Sequence, residues 1–245
     1  MAETLRIASW NMLHDFLADS GGYPKQHERI GGISEELKSI VTPSNFVAFF
    51  CELEDAANLD TLTNRLDLRL AGEACTSDEI TGGMFGFMVS TNLIDNATVE
   101  RISLDSNPDD SFVIMDTDFA RFIGVHMPHT LLKYARKRQM LSELILKNTS
   151  DTAPTFIVGD FNDLFFMPSR RVYSKTQFQE AHTGDRPLFP TRKYRGLHLP
   201  RYMPSWNLDA IYFDREKSHL ITAGYRHHES SDHPLIWADF LKPIQ

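Results

Sequence analysis

The stretch FIVGDFND, residues 156–163, joins three large apolar residues to a glycine and then to a cluster of polar groups. A short apolar run that ends at a glycine predicts a buried β-strand. The carboxyl ends of buried strands are where enzymes built on sheets place their chemistry. Asp160 and Asn162 are therefore either ordinary loop residues or members of a functional site. The residues at the ends of the other predicted strands decide between these interpretations.

The rest of the chain predicts short strands and a few helices. Apolar or alternating runs predict strands at 5–11, 46–54, 82–90, 97–105, 208–214 and 235–241, and two more within 112–129 that a tight turn at 116–118 joins. Amphipathic patterns predict helices at 33–41 and 131–148. The nearly continuous apolar run at 46–54 is typical of a strand covered on both faces. Together these elements indicate an α+β sandwich of two packed sheets with helices outside.

The composition limits the class of protein. Of 245 residues, 42% are hydrophobic and 17 are phenylalanine, so we expect one domain spanning 1–245 with a large core. A net charge of -8 excludes a uniformly basic nucleic-acid footprint. The two cysteines form no Cys/His cluster of the kind that binds zinc. No apolar stretch reaches membrane-spanning length and no signal peptide is evident, so we expect a cytoplasmic protein, with its oligomeric state open.

Polar side chains stand at the ends of most predicted strands. Asn11 ends the first strand, Glu52 lies near the end of the second, and His126 ends a later one. Asp209 lies at the start of the predicted strand 208–214, and the turn at 231–234 precedes the last strand. One such group is most often a cap or a solvated loop residue. A series of them on successive buried strands predicts that they converge on one site.

Six short motifs, in this order, carry a resemblance to a known family: SWNM, CE, VH, GDFND, LDAIYF and SDHP. They span residues 9–234 and resemble the endonuclease/exonuclease/phosphatase superfamily. Its members include DNase I-like nucleases, abasic-site endonucleases, sphingomyelinases and inositol polyphosphate 5-phosphatases. The resemblance implies a DNase I-like, four-layered α/β sandwich, in which two packed mixed β-sheets are flanked by helices.

The resemblance also implies a set of site residues, motif by motif. The catalytic residues would be His126, Asp160, Asn162, Asp209 and His233. The residues at the metal would be Asn11, Glu52 and Asp232.

These residue types suit the hydrolysis of a phosphate ester. A cation bound by Glu52 would neutralise a phosphoryl oxygen, and oxygen ligands favour Mg²⁺ or Mn²⁺. Asp160 would activate a water molecule, with Asn162 as a donor to that water or to the phosphate. His233, held in one tautomer by Asp209, would donate to the phosphate.

Two positions depart from the family's pattern. Cys51 stands where the family has a glutamine, and residues 12–16, MLHDF, lack the acid-glycine pair of abasic-site endonucleases. Because neighbouring side chains alternate across a strand, Cys51 is expected to point away from Glu52 and its ion. Glu54 is the alternative candidate for the metal ligand, but Glu52 follows the apolar run directly.

Residues 191–206 are predicted to contact the substrate. Arg192, Lys193, Arg195 and Trp206 combine cations with an aromatic ring, which suits phosphates and stacked bases. The alternative is a solvated loop. Three functions stay open: a nuclease acting on nucleic acid, a hydrolase of a small phosphoester such as a phosphoinositide or phospholipid head group, and a non-catalytic binding module.

Overall fold

A computed structural model of the chain describes residues 3–12, 24–41, 44–76, 83–104, 107–128, 135–162, 173, 176–181, 208–228, 230–231 and 233–243. The strands are β1 Thr4–Asn11, β2 Phe46–Leu53, β3 Leu68–Thr76, β4 Met84–Ser90, β5 Thr98–Leu104, β6 Asn107–Asp116, β7 Arg121–His126, β8 Thr155–Asp160, β9 Phe178–Glu180, β10 Asp209–Asp214, β11 Leu220–Arg226 and β12 Leu235–Leu241. The helices are α1 Gln26–Lys38, α2 Ala56–Leu66, α3 Thr91–Ile94 and α4 Ala135–Lys147.

Within these described ranges the strands form two six-stranded mixed sheets. Sheet A has the order β11-β12-β1-β2-β4-β3, and sheet B has the order β5-β6-β7-β8-β10-β9. In the middle of each sheet one pair is parallel, β1 with β2 and β7 with β8. The other neighbours are antiparallel.

The two sheets pack face to face through a core rich in aromatic residues. Phe49 of β2 lies against the backbone of sheet B, where a Cβ added to Gly124 would come within 2.2 Å of its ring. A Cβ at Gly159 would lie 3.0 Å from the same ring. Gly124 and Gly159 stand on neighbouring parallel strands, so they form a slot for Phe49, which we call the glycine slot. Packing this close fixes one sheet against the other.

Helices cover the outer faces of both sheets. Ile33 and Leu37 of α1, with Leu62 of α2, pack on the outer face of sheet A. Leu141 and Ile145 of α4 pack on the outer face of sheet B. The order is therefore helices, sheet A, sheet B, helix, which confirms the predicted four-layered sandwich.

Several elements differ from the sequence-based expectation. Helix α1 begins at Gln26, before the predicted start at 33, and α2, α3, β3, β9 and β11 are additional. β3 and β11 each contain a register shift, and β11 is a half-exposed edge strand, so neither shows regular alternation. Helix α2 carried a clear signal, since Asp55 caps it by accepting from the backbone N–H of Asn58 at 2.7 Å. Among the described helices, none is long and apolar enough to span a membrane.

Candidate functional site

The strand order brings the polar strand ends to one edge of the sandwich. Asn11 ends β1 and Glu52 lies near the end of β2, and these two strands are parallel. His126 and Asp160 end the parallel strands β7 and β8 and stand opposite each other in register. Because β10 is antiparallel to β8, its first residue, Asp209, stands opposite Asp160. Both sheets therefore contribute side chains to one cluster.

Asp160 stands at the centre of this cluster. Its Oδ2 accepts a hydrogen bond from Asn11 Nδ2 at 3.1 Å, and its Oδ1 accepts one from the backbone N–H of Asn162 at 2.7 Å. His126 Nε2 lies 3.9 Å from Oδ2 and His233 Nδ1 lies 4.0 Å from it. The carboxylate is only 1% exposed, so its orientation is set by these neighbours.

Asn162 completes a tight turn after β8. Its φ of 47° is left-handed, a conformation that asparagine tolerates better than most residues. One hydrogen of its side-chain amide is donated to the Met127 carbonyl at 2.8 Å. The turn thereby ties the end of β8 to the segment that follows β7.

Buried Asp209 pairs with His233, whose side chain is 12% exposed. Asp209 Oδ2 and His233 Nδ1 are 2.8 Å apart, and because a carboxylate only accepts, Nδ1 carries the proton. The backbone of His233 is held at both ends, since its N–H donates to Ser231 Oγ at 3.1 Å and its carbonyl accepts from Trp10 Nε1 at 3.0 Å. This pairing fixes the tautomer of the histidine and turns Nε2 away from Asp209.

Glu52 reaches the cluster through an irregularity in β2. Its φ is 58°, and the register with β4 shifts between Phe50 and Leu53. A residue in this conformation forms a bulge that re-aims its side chain. Glu52 Oε1 lies 3.5 Å from His126 Nε2, whereas Glu54 follows the end of the strand.

Cys51 reaches the cluster at a point other than Glu52. Sγ of Cys51 and one ligating atom each of His126 and Asp160 lie within 4.8 Å of one another. Cys51 keeps the core-facing side of β2 that alternation gives it, and the bulge turns the carboxylate of Glu52 toward the same histidine. Burial is the main cause that raises the pKa of the Cys51 thiol well above its ordinary value.

The sequence-based analysis missed three buried polar residues that support the cluster. Gln26 Nε2 donates to the carbonyl of Glu52 at 2.9 Å and to that of Met12 at 3.1 Å. Arg29 donates to the carbonyls of Met12 and Ser230, and Arg138 donates to those of Pro128 and Phe161. Each of the three is a polar residue at a position that belongs to the buried, otherwise apolar face of its helix. A polar residue at such a position is the signal by which it could have been found.

Other predicted site residues lie outside the described residues. They are Asp232 of the predicted metal set and Arg192, Lys193, Arg195 and Trp206 of the predicted substrate contact.

The donor atoms of the cluster fit a divalent cation. Glu52, Asp160 and Asp209 are 4%, 1% and 1% exposed, and burial of ionised carboxylates is unfavourable without compensating positive charge. Among the described residues, Asp160, Asp209 and His233 form one group whose ligating atoms lie within 4.8 Å of one another. Carboxylate oxygens are the ligands that Mg²⁺ and Mn²⁺ prefer.

The charge state of Glu52 depends on its neighbours. Burial acts to raise the pKa of this carboxyl group, but the hydrogen bond with His126, the charges of His126 and His233 and a hydrogen bond from Asn11 lower it to about 2. The ordinary value is 4.5, so the folded, metal-free protein binds a proton at Glu52 less readily than the unfolded chain does.

The metal-free protein should therefore lose stability in acid through Glu52. Because the folded pKa lies below the unfolded pKa, the stabilisation is complete above the unfolded value and is lost as the pH falls through the folded value. The difference amounts to about 3 kcal/mol. We expect the unfolding free energy, measured by urea titration in EDTA, to fall more steeply between about pH 5 and about pH 2 for wild type than for Glu52→Gln. Parallel pH profiles would contradict the assignment.

Comparisons with known proteins identify the fold. No protein-family model and no curated protein matches the sequence. Among solved structures, the chain is similar to an endonuclease/exonuclease/phosphatase from Bacteroides vulgatus, with a TM-score of 0.73 and 14% identity over 98% of this chain and 99% of that one. It is similar to the mannosyl-6-phosphatase Bt3783 of Bacteroides thetaiotaomicron, with a TM-score of 0.68 and 16% identity over 96% and 99%. It is also similar to the human Nocturnin catalytic domain with bound sulfate, with a TM-score of 0.67 and 16% identity over 97% and 93%.

These similarities extend over nearly the full length of each chain compared, while the sequence identity is low. At this level of identity a structural match establishes the fold, and function has to be argued from the site. The chain has the DNase I-like fold of the endonuclease/exonuclease/phosphatase proteins, as the resemblance of its motifs predicted.

Proposed function

We propose that this protein is a divalent-metal-dependent phosphoesterase that hydrolyses a phosphodiester in nucleic acid by attack of an activated water molecule. One observation carries the proposal: three buried carboxylates and two histidines, drawn from both sheets, converge around Asp160. A structural role alone does not account for so many ionisable groups at one buried point. The shared core and shared site also support the single domain proposed for residues 1–245.

Glu52 would hold the cation, together with Asn11 and, from the predicted set, Asp232. The amide of Asn11 already links to Asp160 at 3.1 Å, so it lies between the proposed metal and water sites. A bound Mg²⁺ or Mn²⁺ supplies charge stabilisation for a phosphoryl oxygen in the transition state.

Asp160 would accept the proton of the attacking water. Hydrogen bonds from Asn11 and from the backbone of Asn162 fix both of its oxygens, and each carboxylate oxygen keeps a second lone pair for water. A base held in this way loses little entropy when it orients a water molecule for in-line attack.

The histidines would stabilise the negative charge of the transition state. With Nδ1 bonded to Asp209, His233 offers Nε2–H to a phosphoryl oxygen when its ring is protonated. His126, beside Glu52 and Asp160, is the second candidate donor, and Asn162 has a further amide hydrogen. In many enzymes, fixed donors of this kind stabilise the transition state more than any other feature of the site does, and no covalent intermediate is required.

A second function is hydrolysis of a small phosphoester. The observation in its favour is the similarity to a mannosyl-6-phosphatase over 96% of this chain and 99% of that one. The two functions share the proposed chemistry and differ in the substrate contact, for which Arg192, Lys193, Arg195 and Trp206 are proposed.

The test measures hydrolysis with Mg²⁺ or Mn²⁺ on single-stranded DNA, duplex DNA, abasic duplex, RNA, bis-(p-nitrophenyl) phosphate, an inositol phosphate and a hexose phosphate. We expect cleavage of a polynucleotide that EDTA abolishes. Removing one anionic ligand in Glu52→Gln should raise the Mg²⁺ concentration for half-maximal rate about tenfold or more.

Three other outcomes have distinct meanings. Cleavage of the small esters alone would replace the nuclease by the second function. Activity that persists in EDTA would contradict the role of the metal. Metal binding without hydrolysis of any substrate would favour the binding module.

A further inference from the structure

Cys51 adds a sulfur donor to the site. It is completely buried on the core-facing side of β2, which it shares with Val47 and Phe49. Its Sγ and one ligating atom each of His126 and Asp160 lie within 4.8 Å of one another. One sulfur, one imidazole nitrogen and one carboxylate oxygen therefore lie close together.

The regular course of β2 up to Cys51, followed by the bulge at Glu52, places two kinds of donor at the cluster. Cys51 keeps its regular register opposite Asn11, whereas Glu52 adopts the left-handed conformation and turns its carboxylate toward His126. The regular strand position brings the thiol to the cluster from the core, and the bulge brings the carboxylate from the other side. The site consequently offers one set of donors made of oxygen and nitrogen, and a second set that contains sulfur.

We propose that Cys51, His126 and Asp160 bind a thiophilic divalent cation, Zn²⁺ or Cd²⁺, through sulfur, nitrogen and oxygen. As the metal–sulfur bond forms, the S–H bond of Cys51 breaks and its proton leaves to the buffer. No oxidant or reductant takes part. Three protein ligands and a water molecule are a common arrangement for zinc.

The distances are compatible with this coordination. Bonds of about 2.0 to 2.3 Å place neighbouring ligand atoms of a tetrahedral zinc site roughly 3.5 Å apart. The three donor atoms span at most 4.8 Å, so closure requires side-chain shifts of roughly 1 Å. Hard cations such as Mg²⁺ prefer the oxygen ligands and leave the thiol protonated, so the two classes of cation select different donors.

This site has a consequence for catalysis that rests on the proposed function. The thiophilic cation would occupy His126 and Asp160, which are the proposed donor and base. Zn²⁺ or Cd²⁺ should therefore inhibit Mg²⁺-dependent hydrolysis.

The experiment titrates metal-free protein with Cd²⁺ alone and follows the ultraviolet charge-transfer absorption of the sulfur–cadmium bond. Cys75, the half-buried second cysteine on β3, provides the matched control. We expect wild type and Cys75→Ser to show the band, with saturation at one equivalent, and Cys51→Ser to lack it. His126→Ala should raise the dissociation constant about tenfold or more.

Because Cys51 is buried, Cys51→Ala serves as a second variant and thermal unfolding as a second measurement. Cd²⁺ should raise the Tm of wild type and Cys75→Ser but not that of Cys51→Ala. Three results would overturn the site. They are a band that survives in Cys51→Ser, the absence of the band from wild type at a roughly tenfold excess of Cd²⁺, and an equal rise in Tm for Cys51→Ala. The band and the Tm are read without substrate, so failure of the proposed hydrolase function leaves this test intact.

Discussion

Asp160→Asn is expected to lower kcat about a thousandfold while the protein stays folded. The substitution keeps the shape of the side chain but removes the group proposed to accept the proton from water. The side-chain oxygen of asparagine still accepts the hydrogen bond from the backbone of Asn162. The proposed substrate contacts are other residues, so KM should change far less than kcat. Steady-state kinetics on the substrate identified by the panel, with circular dichroism on the same samples, provides the measurement.

Asp214→Asn is the matched control for this variant. Asp214 is also a buried aspartate, 1% exposed, but it ends β10 at the opposite edge from Asp209 and pairs with Lys217 at 3.4 Å. It should change kcat by no more than about twofold, since it contacts none of the proposed catalytic groups. Equal losses of kcat in both variants would mean that Asp160 affects activity only by supporting the structure. Full activity of Asp160→Asn would refute its role as the base.

Gly159→Ala is expected to remove a large fraction of the stability of the protein. Gly159 has a φ of 144°, and a Cβ at this position would lie 1.9 Å from the carbonyl oxygen of Val125 and 3.0 Å from the ring of Phe49. The conformational strain and the overpacking together amount to about 3 to 6 kcal/mol. That is a large fraction of the stability of a typical domain, about 5 to 15 kcal/mol. Urea unfolding of the soluble fraction, or loss of soluble protein, measures the effect.

Gly31→Ala controls for the addition of a methyl group. Gly31 lies within α1, and the nearest atom to a Cβ there is an Arg65 nitrogen at 3.6 Å, which is an ordinary contact. Alanine favours the helix, so this variant should match wild type or gain up to about 1 kcal/mol. A Gly159→Ala protein as stable as Gly31→Ala would show that β8 can move away from β7 and that the glycine slot is not fixed.

The sequence predicted the strands that carry the site because these strands are buried on both faces. An apolar run that stops at a polar residue is a local signal, and Asn11, His126 and Asp160 each follow one. Their convergence depends on strand order, which composition and periodicity do not contain. The motif resemblance supplied the four-layered fold, and the structure agrees with that fold.

Other features escaped the sequence for physical reasons. The left-handed conformation of Glu52 is imposed by the surrounding structure, because no local rule places an acidic residue there. Alternation therefore did not predict that Glu52 turns toward the histidine that Cys51 also approaches. Gln26 and Arg138 occupy positions that a helical pattern assigns to the core, and their partners are backbone carbonyls distant in sequence. Such hydrogen bonds become visible only when the tertiary structure is known.

Because the cluster is divided between two sheets, the proposed catalysis depends on how these sheets pack against each other. Neither sheet alone holds the proposed base together with the proposed metal ligand, because Asp160 belongs to sheet B and Glu52 to sheet A. Phe49 in the glycine slot sets how the sheets align, three residues from Glu52 along the same strand. A core substitution that shifted one sheet against the other would thus be exposed to selection through catalysis before it unfolded the protein.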